Sequence, residues 1–165
     1  MKNKITLVVL TSVLLFFMQS CVSIKDRFKG EAAKKDQIYV IDSGSDSVVW
    51  KTKDLSVNFL YKSTGSDDFS LNGNIIISDY ILNSYPVINR FILQVSFLDN
   101  NGTVVRTEYI KPMYSKNSIP PEKIKFSSNT SLPDEAVAFC FSYSGKFKGD
   151  DKTMGYLSIS NNPFR

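Results

Sequence analysis

The chain has 165 residues, 42% of them hydrophobic, and 20 Lys and Arg against 16 Asp and Glu give a net charge of +4. It contains no histidine, which excludes Ser-His-Asp and Cys-His nucleophiles and removes the commonest ligand of transition metals. Its eight glycines never fall in the spacing of a phosphate-binding loop. We therefore expect no catalytic residues, no cofactor and no metal site.

The first 20 residues have the layout of a secretory signal peptide. Lys2 and Lys4 precede an apolar run over residues 5–18, which as a helix spans about 21 Å, short of the ~30 Å hydrocarbon core of a bilayer. A basic start and a short apolar run are typical of a cleaved signal. Removal of residues 1–20 leaves 18 basic and 16 acidic side chains, a balance of +2. This small charge indicates no nucleic-acid partner.

The residues that end this segment resemble the lipobox of bacterial lipoproteins. In Met18-Gln19-Ser20-Cys21, a small residue stands directly before the cysteine and an apolar residue three positions before it, while Gln19 departs from the pattern. The resemblance implies that Cys21 is acylated, with palmitate among its chains. Two or more acyl chains hold a protein stably at a membrane. An uncleaved signal anchor, or ordinary cleavage near the same place, is the alternative.

Residues 21–36 are predicted to form a lipidated N-terminus and a tether. The segment after Cys21 has five basic and three acidic residues, a composition that favours a solvated spacer. Ile24, Phe28 and Ala32 fall at helical spacing, so a short amphipathic helix is the second possibility.

The residues after Cys21 also bear on location. In lipoproteins of enteric bacteria, Asp directly after the acylated cysteine favours retention in the inner membrane. Val22 and Ser23 stand here instead. The resemblance therefore implies the periplasmic face of an outer membrane.

From Gln37 onward the pattern is that of strands. The clearest is residues 91–99, where Phe91, Leu93, Val95 and Phe97 share one face, while Gln94 and Ser96 lie on the other. We expect Phe97 to be core and substitution of Ser96 to be nearly silent. Asn100-Asn101-Gly102 predicts a hairpin turn into residues 103–110. Further strands are predicted at 70–78 and 136–143, with weaker ones at 38–42, 48–51, 55–61, 124–128 and 155–159.

Seven to nine short strands without a long helix indicate an all-β, antiparallel β-sandwich over residues 37–165. Residues 69–128 resemble the immunoglobulin-like FxLYD domains of bacterial envelope proteins. Gly73, Asn83-Ser84 and "VSFLDNNGTVV" at residues 95–105 match the layout, although only Asp99 is identical within the motif that names the family. The resemblance implies an immunoglobulin-like sandwich and no particular activity.

The segment "SDYILNSYPVINR", residues 78–90, is the best candidate for a partner-binding loop. Tyr80, Asn83 and Tyr85 are residue types that recognition loops favour, because Tyr gives contact area at little entropic cost. The alternative is that Ile81 and Leu82 are core and the tyrosines pack on it.

Other residues that could carry a reactive or binding role are expected to be structural. Cys140 lies in a predicted strand and is expected to act as a small apolar residue. Trp50 is predicted to lie in the core, and only second to be a contact residue. The acidic pairs at 67–68 and 150–151 are expected to be solvated turn residues.

Two functions from different classes follow. The favoured one is a lipid-anchored envelope module without catalytic activity, which braces or contacts a protein partner. The alternative is an envelope lipoprotein that binds a small ligand or glycan between its sheets.

Overall fold

The computed structural model describes residues 27–42, 47–64, 68–150 and 153–164. Within them the chain forms nine strands, one short helix and one 3₁₀ turn at Lys35–Gln37. The predicted all-β class is confirmed. In chain order the elements are β1 Tyr39–Val40, β2 Val48–Lys51, β3 Leu55–Thr64, β4 Asp68–Ile77, α1 Asp79–Ser84, β5 Val87–Leu98, β6 Val104–Ser118, β7 Ile124–Thr130, β8 Ala138–Lys148 and β9 Tyr156–Asn161.

The strands form two antiparallel sheets that pack as a sandwich. One sheet has the order β2-β3-β4-β7, and the other has the order β1-β8-β5-β6 with β9 also paired to β8. In an immunoglobulin fold, strands B and E pair in one sheet and strands C and F in the other. Here β4 pairs with β7 and β5 with β8, which gives the same connectivity.

The predicted hairpin joins β5 to β6. Gly102 has a φ of 77°, a conformation that glycine adopts without a steric penalty. The Asp99 carboxylate accepts hydrogen bonds of 2.8 Å from the main-chain N–H groups of Asn101 and Thr103. These bonds favour the charged form, so the pKa of Asp99 lies below its usual value.

Aromatic side chains fill the space between the sheets. Phe91, Leu93, Val95 and Phe97 are all buried there, so the predicted core face of β5 is confirmed. The ring of Phe139 lies 5.2–6.0 Å from the rings of Tyr61, Phe69, Phe59, Phe141 and Tyr39, mostly in the edge-to-face arrangements that aromatic pairs prefer. Such packing leaves the outer faces, edges and ends of the sandwich as its contact surfaces.

The opposite face of β5 differs from the prediction. Gln94 and Ser96 lie on it as expected, but both are buried, and Ser96 Oγ lies 2.8 Å from Thr107 Oγ1 on β6. A silent substitution of Ser96 is therefore a wrong expectation. A second apolar cluster lies on this face and consists of Ala33, Leu98, Val104, Ala138, Cys140 and Phe164, with Phe28 and Ile38 packed against it.

Part of the predicted tether contributes to that cluster. The N–H of Gly30 donates to the carbonyl of Val104, and the N–H of Val104 donates to the carbonyl of Glu31, both at 2.9 Å. The rings of Phe28 and Phe164 lie 4.6 Å apart. From Arg27 onward this segment forms a turn and two isolated β-bridges rather than a helix or a free spacer. It binds beside the β5–β6 turn, at what we call the hairpin end of the sandwich.

Helix α1 lies at the other end, which we call the helix end. Its neighbours there are the β2–β3 turn and the first residues of β5. A strand rises about 3.3 Å per residue, so β5, with 12 residues, separates the two ends by about 36 Å.

Candidate functional site

The predicted partner-binding residues lie on or next to a short helix rather than in an irregular loop. Tyr80 and Asn83 belong to α1 and are exposed, whereas Tyr85 is its C-cap and packs partly against the core. Ile81 is fully buried, which fixes the helix to the sandwich. The structure thus presents Tyr80 and Asn83 at the surface, while Tyr85 contributes mainly to packing.

A buried carboxylate holds this helix in place. Asp54, in the β2–β3 turn, is only 1% exposed. Tyr80 donates a hydrogen bond to Asp54 Oδ1, and Tyr143 on β8 donates one of 2.7 Å to Asp54 Oδ2. Ser78, the residue before the helix, donates from its hydroxyl to the carbonyl oxygen of Asp54 at 2.6 Å. Three elements therefore meet at one residue.

Thr52 completes this cluster. Its Oγ1 lies 3.1 Å from the Tyr143 hydroxyl and accepts hydrogen bonds from the N–H groups of Asp54 and Leu55 at 3.3 and 3.2 Å. Each side-chain oxygen of Asp54 has a hydroxyl donor, from Tyr80 or from Tyr143, as burial of a polar group requires. We call Thr52, Asp54, Ser78, Tyr80 and Tyr143 the Asp54 cluster.

The two tyrosines of the Asp54 cluster stay protonated far above neutral pH. The hydrogen bond to Asp54, with a smaller contribution from burial, raises the pKa of Tyr80 to about 12. For Tyr143, burial is the main cause of a raised pKa and the Asp54 carboxylate adds to it. Both hydroxyls therefore remain hydrogen-bond donors to Asp54 under ordinary conditions.

Asp54 had no distinguishing signal in the sequence. It stands in "WKTKDLS", where a lysine and a threonine precede it, and an acid in such a segment is ordinarily a solvated turn residue. Its burial arises because Tyr80 and Tyr143, distant in sequence, close over the turn. The Asp54 cluster holds the exposed ring of Tyr80 in a fixed position on the sandwich.

Cys140 and Trp50 occupy structural positions. Burial raises the pKa of the Cys140 thiol to about 12, so the nucleophilic thiolate is not populated at neutral pH. Trp50 is buried against Phe141 and Tyr143, and its indole N–H donates to Gln37 Oε1 at 3.2 Å. Both findings agree with the predictions from sequence.

Several other predictions fall wholly or partly outside the described residues. Cys21, the signal segment and the first part of the tether lie outside them, as do Asp67 and Asp151, while Asp68 and Asp150 are exposed. Within the described ranges no group of three or more His, Cys, Asp or Glu residues could hold a metal ion. The same ranges contain no helix with the length and apolarity needed to cross a membrane.

Comparisons with known proteins add no relative. No family model matches the chain, and neither a curated protein nor a solved structure is similar to it at a significant level.

Proposed function

We propose that this chain is a lipid-anchored lipoprotein of the cell envelope that acts as a non-catalytic structural or protein-interaction module, an accessory subunit of an envelope or secretion complex. Cys21 is the anchor, residues 1–20 are removed, and the acyl chains on Cys21 contact the membrane. The sequence Met18-Gln19-Ser20-Cys21 and the basic and apolar residues before it support this anchor.

The fixed exposure of Tyr80 is the observation that carries the interaction role. Its side chain is 53% exposed although its hydroxyl is bound to a buried carboxylate. An aromatic side chain that is already held in place loses little conformational entropy when a partner covers it. Asn83, exposed on the same helix, adds a donor and an acceptor beside it.

The arrangement of the two ends supports the same role. The N-terminal segment binds at the hairpin end through Gly30 and Glu31, and α1 lies at the helix end, about 36 Å away along β5. Residues 30–34 and the candidate contact surface thus lie at opposite ends of the sandwich. A partner can reach Tyr80 and Asn83 without displacing residues 30–34.

Crosslinking in intact cells tests the partner surface. A photoreactive residue at position 83 should capture a specific envelope protein, because Asn83 is exposed beside Tyr80. Position 101 is the matched control, since Asn101 is also an exposed asparagine but lies at the hairpin end. Capture of the same protein from both positions, or of none from position 83, would remove the helix end as the contact surface.

Fractionation tests the location. We propose the periplasmic face of the outer membrane, so the protein should sediment with outer-membrane markers and resist protease added to intact cells. Digestion without permeabilisation would place the domain outside the cell.

A further inference from the structure

A shallow trough crosses the outer face of the four-stranded sheet. Its floor is formed by Phe59, Gly73 and Phe126, which are paired side by side on three neighbouring strands. The side chains of Phe59 and Phe126 point into the core. The outward side chains of the rows on either side form its walls. Its volume is about 410 Å³, within the range of small-molecule sites. The residues that shape it are Asn58, Leu60, Asn72, Gly73, Asn74 and Lys125.

The residue types in this trough oppose strand formation. Asparagine is depleted from strands, where β-branched residues fit better, yet Asn58, Asn72 and Asn74 stand in β3 and β4, the two central strands of the sheet. Asn58 and Asn74 are direct cross-strand partners. A residue type that opposes strand formation and adds nothing to packing is expected at positions that have a functional role.

Gly73, between two of these asparagines, has a packing reason of its own. A Cβ atom there would lie 2.3 Å from the main-chain oxygen of Asn58 and 2.8 Å from Cζ of Phe126. Only glycine allows the strands and the Phe126 ring to approach this closely. The asparagines have no comparable reason, because their side chains point away from the core.

The side-chain amides of the trough are free to bind. In the part of the chain that the structure describes, those of Asn58, Asn72 and Asn74 make no hydrogen bond. Each amide offers two donors and an acceptor without a charge. Leu60 is 49% exposed and gives one wall an apolar surface.

We propose that this trough binds a neutral oligosaccharide that lies across β3 and β4. A sugar ring has apolar C–H faces and hydroxyl groups that both donate and accept, which complements the exposed side chain of Leu60 beside the neutral amides. The three amides that line the trough are uncharged and pair with hydroxyl groups, and Lys125 is the single charged residue beside them. This site is separate from Tyr80 and does not depend on acylation of Cys21.

Titration of the protein in detergent micelles, followed by NMR of the asparagine side-chain amides, tests the proposal. The probes are cellotetraose and chitotetraose, two neutral oligosaccharides. We expect saturable shifts at Asn58, Asn72 and Asn74 with at least one probe. The triple variant Asn58→Thr, Asn72→Thr, Asn74→Thr should lose these shifts while its melting temperature is unchanged or higher, since threonine favours strands.

Asn129→Thr is the matched control, because Asn129 is an exposed asparagine of the same sheet on β7, outside the trough. It should leave the titration unchanged. If the unaltered protein shows no saturable shift with either probe, the proposal is wrong. Shifts that persist in the triple variant would overturn the assignment to this trough.

Discussion

Tyr143, on β8 of one sheet, donates a hydrogen bond of 2.7 Å to Asp54, which directly precedes β3 of the other sheet. Because Tyr80 donates to the second oxygen of the same carboxylate, one buried residue joins both sheets to α1. The position of the exposed Tyr80 ring therefore depends on an acid that lies beneath the surface.

Removal of that acid should destabilise the fold. Asp54→Ala removes the acceptor that lies 2.7 Å from the Tyr143 hydroxyl, leaves that hydroxyl beside Thr52 at 3.1 Å, and releases Tyr80. We expect a loss of about 2–3 kcal/mol in the free energy of unfolding, measured with urea. Asp134→Ala, at an exposed loop position, is the control and should stay within about 0.5 kcal/mol. Equal losses in the two variants would show that the Asp54 cluster carries no special stability.

Alkaline pH should weaken the same contact. The pKa of Tyr80 is raised to about 12, against ~10 for an unfolded tyrosine. The protonated form is thus favoured in the folded state, so its contribution is complete below pH ~10 and is lost as the pH rises from there through about 12. Urea midpoints measured across this range should fall less steeply in Tyr80→Phe than in the unaltered protein.

Tyr156→Phe provides the control for that series. Tyr156 is 55% exposed, close to the exposure of Tyr80, and lies on β9. The variant should keep the full alkaline loss of stability. An unchanged pH dependence in Tyr80→Phe would contradict the assigned role of its hydroxyl.

The sequence predicts the strands well because their apolar alternation is local. Phe91, Leu93, Val95 and Phe97 recur at every second position, and Asn101 and Gly102 mark the turn that follows, so neither signal requires knowledge of the rest of the chain. Asp54 could not be predicted, because its burial depends on Tyr80 and Tyr143, which are 26 and 89 positions away in the chain.

The outer face of β5 could not be predicted for a similar reason. Ser96 alternates with Phe97 and therefore looks like a solvated position. Its burial depends on its neighbours in β6 and β8 and on what covers this face, where Leu98 of β5 lies in a cluster with Phe28 and Ala33, from a segment whose charge indicates a spacer. A pattern within one strand does not reveal that a distant segment covers its polar face.

Ser96→Ala should accordingly be measurable rather than silent. It leaves the buried Thr107 hydroxyl without its partner at 2.8 Å, and we expect a loss of about 1–2 kcal/mol in urea unfolding. Phe97→Ala, on the core face of β5, should cost about 3–5 kcal/mol. The double variant Ser96→Ala, Thr107→Val should recover part of the loss, because both polar groups are then absent. If the double variant loses the sum of the effects of Ser96→Ala and Thr107→Val measured singly, the two hydroxyls do not stabilise the fold as a pair.

The N-terminal segment should stabilise the domain from outside its predicted boundary. A chain that starts at residue 37 loses four main-chain hydrogen bonds that Gly30, Glu31, Ala33 and Lys34 make with the hairpin and the C-terminal segment. Relative to a chain that starts at residue 27, we expect a loss of about 2–4 kcal/mol in the free energy of unfolding.

Thiol labelling supplies a second measurement of the same truncation. Cys140 is fully buried in the cluster that contains Ala33 and Phe164, so its reaction with a maleimide should be faster in the chain that starts at residue 37. Ala33→Asp in the longer chain should have a similar effect, because it places a charge in that cluster. Equal stability and equal labelling in both chains would mean that the segment rests on the domain without supporting it.

Substitution of Cys21 tests whether acylation and cleavage of the signal segment depend on this residue. In cells given a palmitate analogue, Cys21→Ser should lose the label and accumulate as an uncleaved precursor, because the proposed acylation needs the cysteine sulfur. Cys140→Ala is the matched control: it removes the other cysteine of the chain and should leave labelling and cleavage intact, since Cys140 is buried with its pKa raised to about 12. If Cys21→Ser is cleaved as before and still partitions into detergent, an ordinary signal peptide and another mode of membrane contact must replace the acylated anchor.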